Sequence, residues 1–289
     1  MSMTIDRKGN ICNDNLRQDH FLEFLYGHAL TRILIRPMVT QTFSKIGGWL
    51  MTTRISAFFV PYFVRKNHIE LSQYEAEKYQ SFNDFFTRRV KKQYRPFAEE
   101  KSSFISPCDG RVTVCKITKD SSFYIKQTVY TLHGLLKSKN LAKKFEGGYA
   151  WILRLSVDDY HRYIYVDDGI KSNNYKIFGV FHTVNPVAND YYPIYKENTR
   201  EYSLLKSENF GTVLMMEVGA MLVGKIENND EAAKVHRGGE KGNFAFGGST
   251  IILLTTKKRV VPDQDILSNS KKHIETKVLM GQQIGRKGR

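Results

Sequence analysis

Phe244-Ala245-Phe246-Gly247-Gly248-Ser249-Thr250-Ile251-Ile252-Leu253-Leu254 runs from two glycines straight into an apolar strand. Glycine adopts left-handed or strained backbone geometry with no Cβ penalty, which leaves the Gly248 carbonyl open to close approach. A serine hydroxyl placed there can attack the carbonyl of the peptide bond before it and shift the acyl group from nitrogen to oxygen. Elimination of the resulting ester leaves dehydroalanine, which tautomerises and loses ammonia to become a pyruvoyl group at a new N-terminus. The other reading of Gly-Gly-Ser entering a strand is an ordinary hairpin turn or bulge.

Outward from this stretch, the second two-thirds of the chain repeats its texture. Short β-branched and aromatic runs at residues 111–117, 149–157, 161–166, 175–182, 212–218 and 250–255 are separated by Gly, Asn and Asp turns. Such spacing predicts an antiparallel sandwich or barrel, not alternating βαβ units. Residues 132–145 read as an inserted helix.

Upstream the period changes. Leu22, Leu25, Tyr26, Ala29, Leu30, Ile33 and Leu34 draw one stripe on a helix that Pro37 closes, and a second helical stretch spans residues 43–59. Ser81-Phe82-Asn83-Asp84 resembles a capping box in which Asp replaces the usual Glu or Gln. Pro96 ends this region, giving a helical, basic segment over 1–96 and a strand-rich body over 97–289. The expected class is α+β: a helical N-terminal region, then an antiparallel β-sandwich or barrel-like core with inserted helices.

At 289 residues with 41% hydrophobic content, the chain can bury a substantial core. Three cysteines, Cys12, Cys108 and Cys115, without CxxC spacing suggest neither a disulfide framework nor a zinc site, which suits a reducing cytosol. The polar start has no secretory pattern, and the apolar run 55–64 is too short to cross a bilayer. A formal charge of +15 points to nucleic acid, anionic lipid or mere solubility. No nucleic-acid-binding signature accompanies it. The basic amphipathic helices, with Arg32, Arg36, Lys45 and Arg54, either lie in a headgroup region or pack on a core or dimer partner.

Three short stretches follow in order: Ser106-Pro107-Cys108-Asp109-Gly110, Asp159-Tyr160-His161-Arg162, and Gly239-Glu240-Lys241-Gly242 leading to Gly247-Gly248-Ser249-Thr250. With Phe82-Asn83-Asp84-Phe85-Phe86 and the segment from Glu208 to Ala220, they resemble the phosphatidylserine decarboxylase proenzymes. The resemblance covers roughly residues 79–289. It implies self-cleavage between Gly248 and Ser249, a covalent pyruvoyl cofactor made from Ser249, an assisting Asp109, and a His161 that matches the histidine associated with decarboxylation, the serine-activating histidine being the second of the motif. A hydroxyl needs an imidazole to take its proton, and a carboxylate can orient that imidazole.

One position departs from the family pattern Asp-Tyr-His-x-x-His: the second histidine is Ile164. Either His161 serves both maturation and decarboxylation, or His182 fills the vacancy, with an ordinary strand histidine as its other reading. The resemblance further implies phosphatidylserine as substrate and phosphatidylethanolamine as product, with the pyruvoyl ketone accepting electrons as carbon dioxide leaves. No metal is expected. Arg162 and Arg200 are candidates for substrate carboxylate or phosphate, or else solvated surface groups. Expected partners are an anionic membrane at its cytoplasmic face, the paired fragments 1–248 and 249–289, and a second copy in a homodimer. The alternatives are a pyruvoyl decarboxylase of another amino acid or serine lipid, and a non-maturing membrane-binding homologue.

Overall fold

A computed structural model describes residues 3–12, 40–125, 128–180, 194–219, 225–245 and 249–288. At its centre the strand Ser249–Thr255 pairs antiparallel with Gly211–Val218 on one side and Tyr149–Leu155 on the other. One flank continues through Arg200–Ser207 and Gly169–Lys171, the other through Gly110–Lys116 and Glu275–Val278. Ala233–Val235 ends the first flank, and Thr4–Ile5 with Ile11–Cys12 ends the second. The two end strands do not meet, so the sheet is open and not closed into a barrel. Among the described strands of this sheet, pairing is antiparallel except where Thr4–Ile5 lies parallel to Glu275–Val278.

Both faces of this sheet are covered. Ile251 and Leu253 pack with Trp151, Leu153, Tyr163 and Phe244, while Ile252 and Leu254 pack with Ile152, Met216, Leu135 and Tyr195. Burial on two sides is why the run from Ile251 to Leu254 is apolar at every position and does not alternate. Two small sheets lie on the first face: Arg162–Ile164, Glu240–Phe244 and Ile226–Asn228 form one, Ser103–Ile105, Gln283–Lys287 and Val260–Pro262 the other. Short helices cover the second face. The α+β expectation holds, with mostly antiparallel sheets.

Two predicted helices are broken, each for a local reason. Residues 132–145 form Leu132–Leu136 and Lys139–Lys143, separated by Lys137 at φ 55° and restarted by the Ser138 side chain, which accepts from Leu141 N. Residues 43–59 form α1 (Gln41–Thr52), a 3-10 turn, and the start of α2 (Phe59–Lys66), because Thr53 is extended. The predicted helix over 22–34 lies outside the described residues. The Ser81 cap is present: its Oγ accepts from Asp84 N at 3.1 Å and opens α3 (Phe82–Phe86). The Asp84 carboxylate reaches back past the cap to Gln80 N at 2.9 Å. Phe82, Phe85 and Phe86 form a small core with Val60, Phe63 and Met51, seating α1 and α2 on α3. Among the described residues, no helix is long and apolar enough to cross a membrane.

Candidate active site

Ser249 is the first residue of the central strand and is fully buried. Its Oγ has no hydrogen-bond partner among the described residues. A buried hydroxyl left unmatched costs about 1–3 kcal/mol, which makes it an exception that asks for an explanation. The register sets Ser249 opposite Leu155. Five residues earlier, Phe244 N donates to the His161 carbonyl at 3.0 Å. The segment entering Ser249 is therefore tied at both ends to the stretch from Leu155 to His161, and the histidine and the serine are held at the same end of the sheet. Gly248 lies outside the described residues.

His161 is fully buried, and its Nδ1 lies 2.9 Å from the Asp159 carbonyl oxygen. A carbonyl only accepts, so the neutral ring carries its proton on Nδ1 and its lone pair on Nε2. The Phe86 ring covers the imidazole at a centroid separation of 4.0 Å. Asp159 is fixed in turn: its carboxylate accepts from Arg111 at 2.9 Å and from Ser156 N at 2.7 Å. Beside it Arg154 pairs with Glu275.

Asp109 occupies the turn between Ser103–Ile105 and Gly110–Lys116. A Cβ at Gly110 would lie 2.6 Å from the Arg154 carbonyl oxygen, so only glycine lets this turn close on the sheet. The Asp109 oxygens are taken by Arg95, with contacts of 2.6 and 2.9 Å, and by Met280 N at 2.8 Å. Burial pushes the carboxyl above the usual carboxylate range, while Arg95 and the Met280 N–H pull against it. Ile164, at the departing position, is buried in the core and its N–H donates to the Pro107 carbonyl at 2.9 Å, next to the Asp109 turn. Next door, burial pushes the Cys108 thiol up, which keeps it protonated and unreactive.

The remaining candidates are dispersed. Arg162 donates to Glu240 at 2.7 Å and to the Thr87 carbonyl at 2.9 Å. Arg200 is buried, not solvated, and its guanidinium is spent on the carbonyls of Gly134, Leu135, Lys196 and Asn198. Both cations are thus engaged inside the protein, which argues against either as an open anion site. His182 lies outside the described residues.

Two features were not read from the sequence as part of the site, Arg88 being legible there only as a cation suited to the C-terminal end of α3. Glu217 sits on the same strand face as Ile251, one diagonal step from Ser249, and forms a fully buried ion pair with Lys241 at 2.8 Å. Asn228 bridges the pair, accepting from Lys241 at 2.6 Å and donating to Glu217 at 3.3 Å, and also donates to Glu201 at 2.7 Å. The second is Arg88, whose guanidinium reaches the loop before His161. Lys241 stands inside the Gly239-Glu240-Lys241-Gly242 motif, but its partner is 24 residues away and only strand pairing brings them together.

The sequence profile of the phosphatidylserine decarboxylase family matches residues 82–286. The chain belongs to that family. It is similar to phosphatidylserine decarboxylase proenzyme 2 of Clostridium acetobutylicum, with 45% identity over 266 residues and 91% of each chain covered. Two phosphatidylserine decarboxylase proenzymes of Clostridium botulinum strains, 657 and Alaska E43, are 38% and 40% identical over 92% and 95% of each chain. Membership makes the chain a decarboxylase enzyme. All three motif stretches of the site lie within the matched span of the phosphatidylserine decarboxylase profile, whereas α1 and α2 lie outside it.

Proposed function

We propose that the chain is a proenzyme that cuts itself between Gly248 and Ser249, turns Ser249 into a pyruvoyl group, and then decarboxylates phosphatidylserine to phosphatidylethanolamine. The observation that carries this reading is the buried Ser249 Oγ at the start of the central strand, which has no hydrogen-bond partner among the described residues. An orphaned hydroxyl there fits a residue whose final form is a ketone, which has no proton to donate. In the mature enzyme the pyruvoyl group supplies an electron sink for the carboxylate carbon.

The protein's own groups do the rest. During maturation His161 Nε2 takes the proton from Ser249 Oγ, because Nδ1 is committed to the Asp159 carbonyl. In turnover the same nitrogen delivers a proton to the carbon that has lost carbon dioxide. Asp109, held by Arg95, anchors the turn against Met280 and keeps this end of the sheet closed to water. His182 is the second candidate base; wild-type maturation of His182→Ala would remove it.

A lipid substrate requires the site to sit at a bilayer surface. Trp49, Ile55, Phe58, Phe59 and Tyr62 are exposed on α1, α2 and the turn between them, with Trp49 at 66% and Phe58 at 84%. Residues 40–69 carry Lys45, Arg54, Arg65 and Lys66 and no acid. Exposed aromatics beside cations suit peripheral insertion into an anionic leaflet, here the cytoplasmic face of the membrane. Burying each large side chain is worth about 1.5–3 kcal/mol. The double variant Trp49→Ser, Phe58→Ser should therefore bind anionic vesicles at least tenfold more weakly in co-sedimentation while still cutting itself.

The deciding experiment is intact mass spectrometry of the purified protein with a decarboxylation assay on phosphatidylserine vesicles and on free serine. The expected result is two fragments, the smaller starting with a keto-acyl group trapped by phenylhydrazine, and carbon dioxide released from the lipid. An uncut chain, or a fragment with an ordinary amino terminus, overturns the reading.

A further inference from the structure

We propose that Arg88 is a positioning residue for His161. The inference rests on the catalytic reading of His161 given above. Arg88 is 2% exposed, yet each hydrogen bond it makes among the described residues goes to a neutral oxygen and none to a carboxylate. The acceptors are the Phe85, Asp158 and Asp159 carbonyls and the Tyr74 hydroxyl, at 3.3–3.4 Å. Its guanidinium carbon also sits 4.5 Å from the Tyr74 ring and 4.6 Å from the Phe85 ring. Burying a cation without a counter-ion costs several kcal/mol, which neutral dipoles and ring faces only partly offset. Stability alone gives no reason to place a charge here.

The oxygen that Arg88 grips supplies the reason. The Asp159 carbonyl lies 3.4 Å from Arg88 Nη2 and 2.9 Å from His161 Nδ1, so one acceptor serves both groups. Arg111 and Ser156 N hold the Asp159 carboxylate from the other side. Residue 159 is pinned at both its carbonyl and its side chain, and the imidazole receives an acceptor that cannot drift. Phe86, two residues before Arg88, fixes the plane of the same ring at 4.0 Å. α3 and the residues just after it therefore set both the tilt of the imidazole and the nitrogen that carries its proton.

The test uses the full chain as Arg88→Met, Arg88→Lys and His161→Gln, read three ways. Side-chain nitrogen resonances of His161 should show the Nδ1-protonated tautomer in the parent and a mixture in Arg88→Met. In matured protein, kcat for phosphatidylserine should fall about 10- to 100-fold in Arg88→Met with KM changed less than about twofold, a fraction of what general acid catalysis contributes. Arg88→Lys, which keeps a cation able to reach the carbonyl, should recover part of the loss, and it substitutes where Arg88→Met fails to fold. Slowed self-cleavage in either variant counts as lowered kcat does. An unchanged tautomer with unchanged kcat, or an effect confined to KM, overturns the inference. Wild-type turnover in His161→Gln instead overturns the catalytic reading of the histidine, and the tautomer measurement still judges Arg88 by itself.

Discussion

Ser249→Ala should give one uncut chain of 33.4 kDa on a denaturing gel, with no phenylhydrazine-reactive ketone and no carbon dioxide released from phosphatidylserine. On the proposed maturation the loss is complete, because the same residue supplies the nucleophile and, through its carbon atoms, the prosthetic group. It should cost no stability. The hydroxyl is fully buried and makes no hydrogen bond among the described residues, so its removal relieves an unmet polar group. The unfolding midpoint is expected at or above that of an uncut parent. That combination separates a chemical role from a structural one: a residue needed for packing would lose both. A cut Ser249→Ala chain would show that another group breaks the bond, and the assignment of Ser249 would fall.

The second large effect is on folding. Lys241→Met strips the counter-ion from Glu217 at a site where both side chains are fully buried. Breaking such a pair by removing one partner costs about 3–5 kcal/mol, whereas replacing both by apolar groups is often neutral or better. The double variant Glu217→Leu, Lys241→Met should therefore regain most of the loss, as urea unfolding in the uncut Ser249→Ala background would show. The pH dependence has a defined sign. Burial already raises the Glu217 carboxyl above its ordinary value of 4.5 against the pull of Lys241, and without the lysine it rises further. A carboxyl whose folded value is raised adds stability below its unfolded value and loses it as pH climbs through the folded one. The deficit of Lys241→Met relative to its parent should thus be smallest near pH 4.5 and widen toward neutrality. A deficit independent of pH would mean that lost packing, not the stranded charge, accounts for it.

Much of this molecule can be read from local pattern. The stretch from Ile251 to Leu254 declares a strand, and the runs at 111–117, 149–157 and 212–218 match observed strands of the same sheet within two residues. Arg200–Ser207 was not legible, because its Arg, Glu, Ser and Lys positions mask a strand in which five of eight residues are buried. The helix breaks at Thr53 and Lys137 were equally hidden: neither is a glycine or proline, and the turn is decided by what the next segment packs on.

The site divides the same way. Ser249, His161 and Asp109 stand in recognisable motifs. The groups that hold them do not: Arg95 reaches Asp109 across 14 residues, Arg111 reaches Asp159 across 48, and Arg88 reaches Asp159 across 71. Such pairings are created by strand register and by the docking of α3, so no window of sequence contains them.

On the proposed self-cleavage, the central position of Ser249–Thr255 decides the fate of the smaller piece. Residues 249–288 supply four strands and a helix, three of those strands bonded to neighbours on both edges. The smaller piece cannot dissociate without dismantling the main sheet. A prosthetic group riding on its first residue is accordingly as permanent as the fold. Under the proposed maturation no fresh copy could be loaded into an old molecule, so an enzyme whose ketone is chemically spoiled would be finished, and the cell's supply of activity would be set by how fast new chains are made.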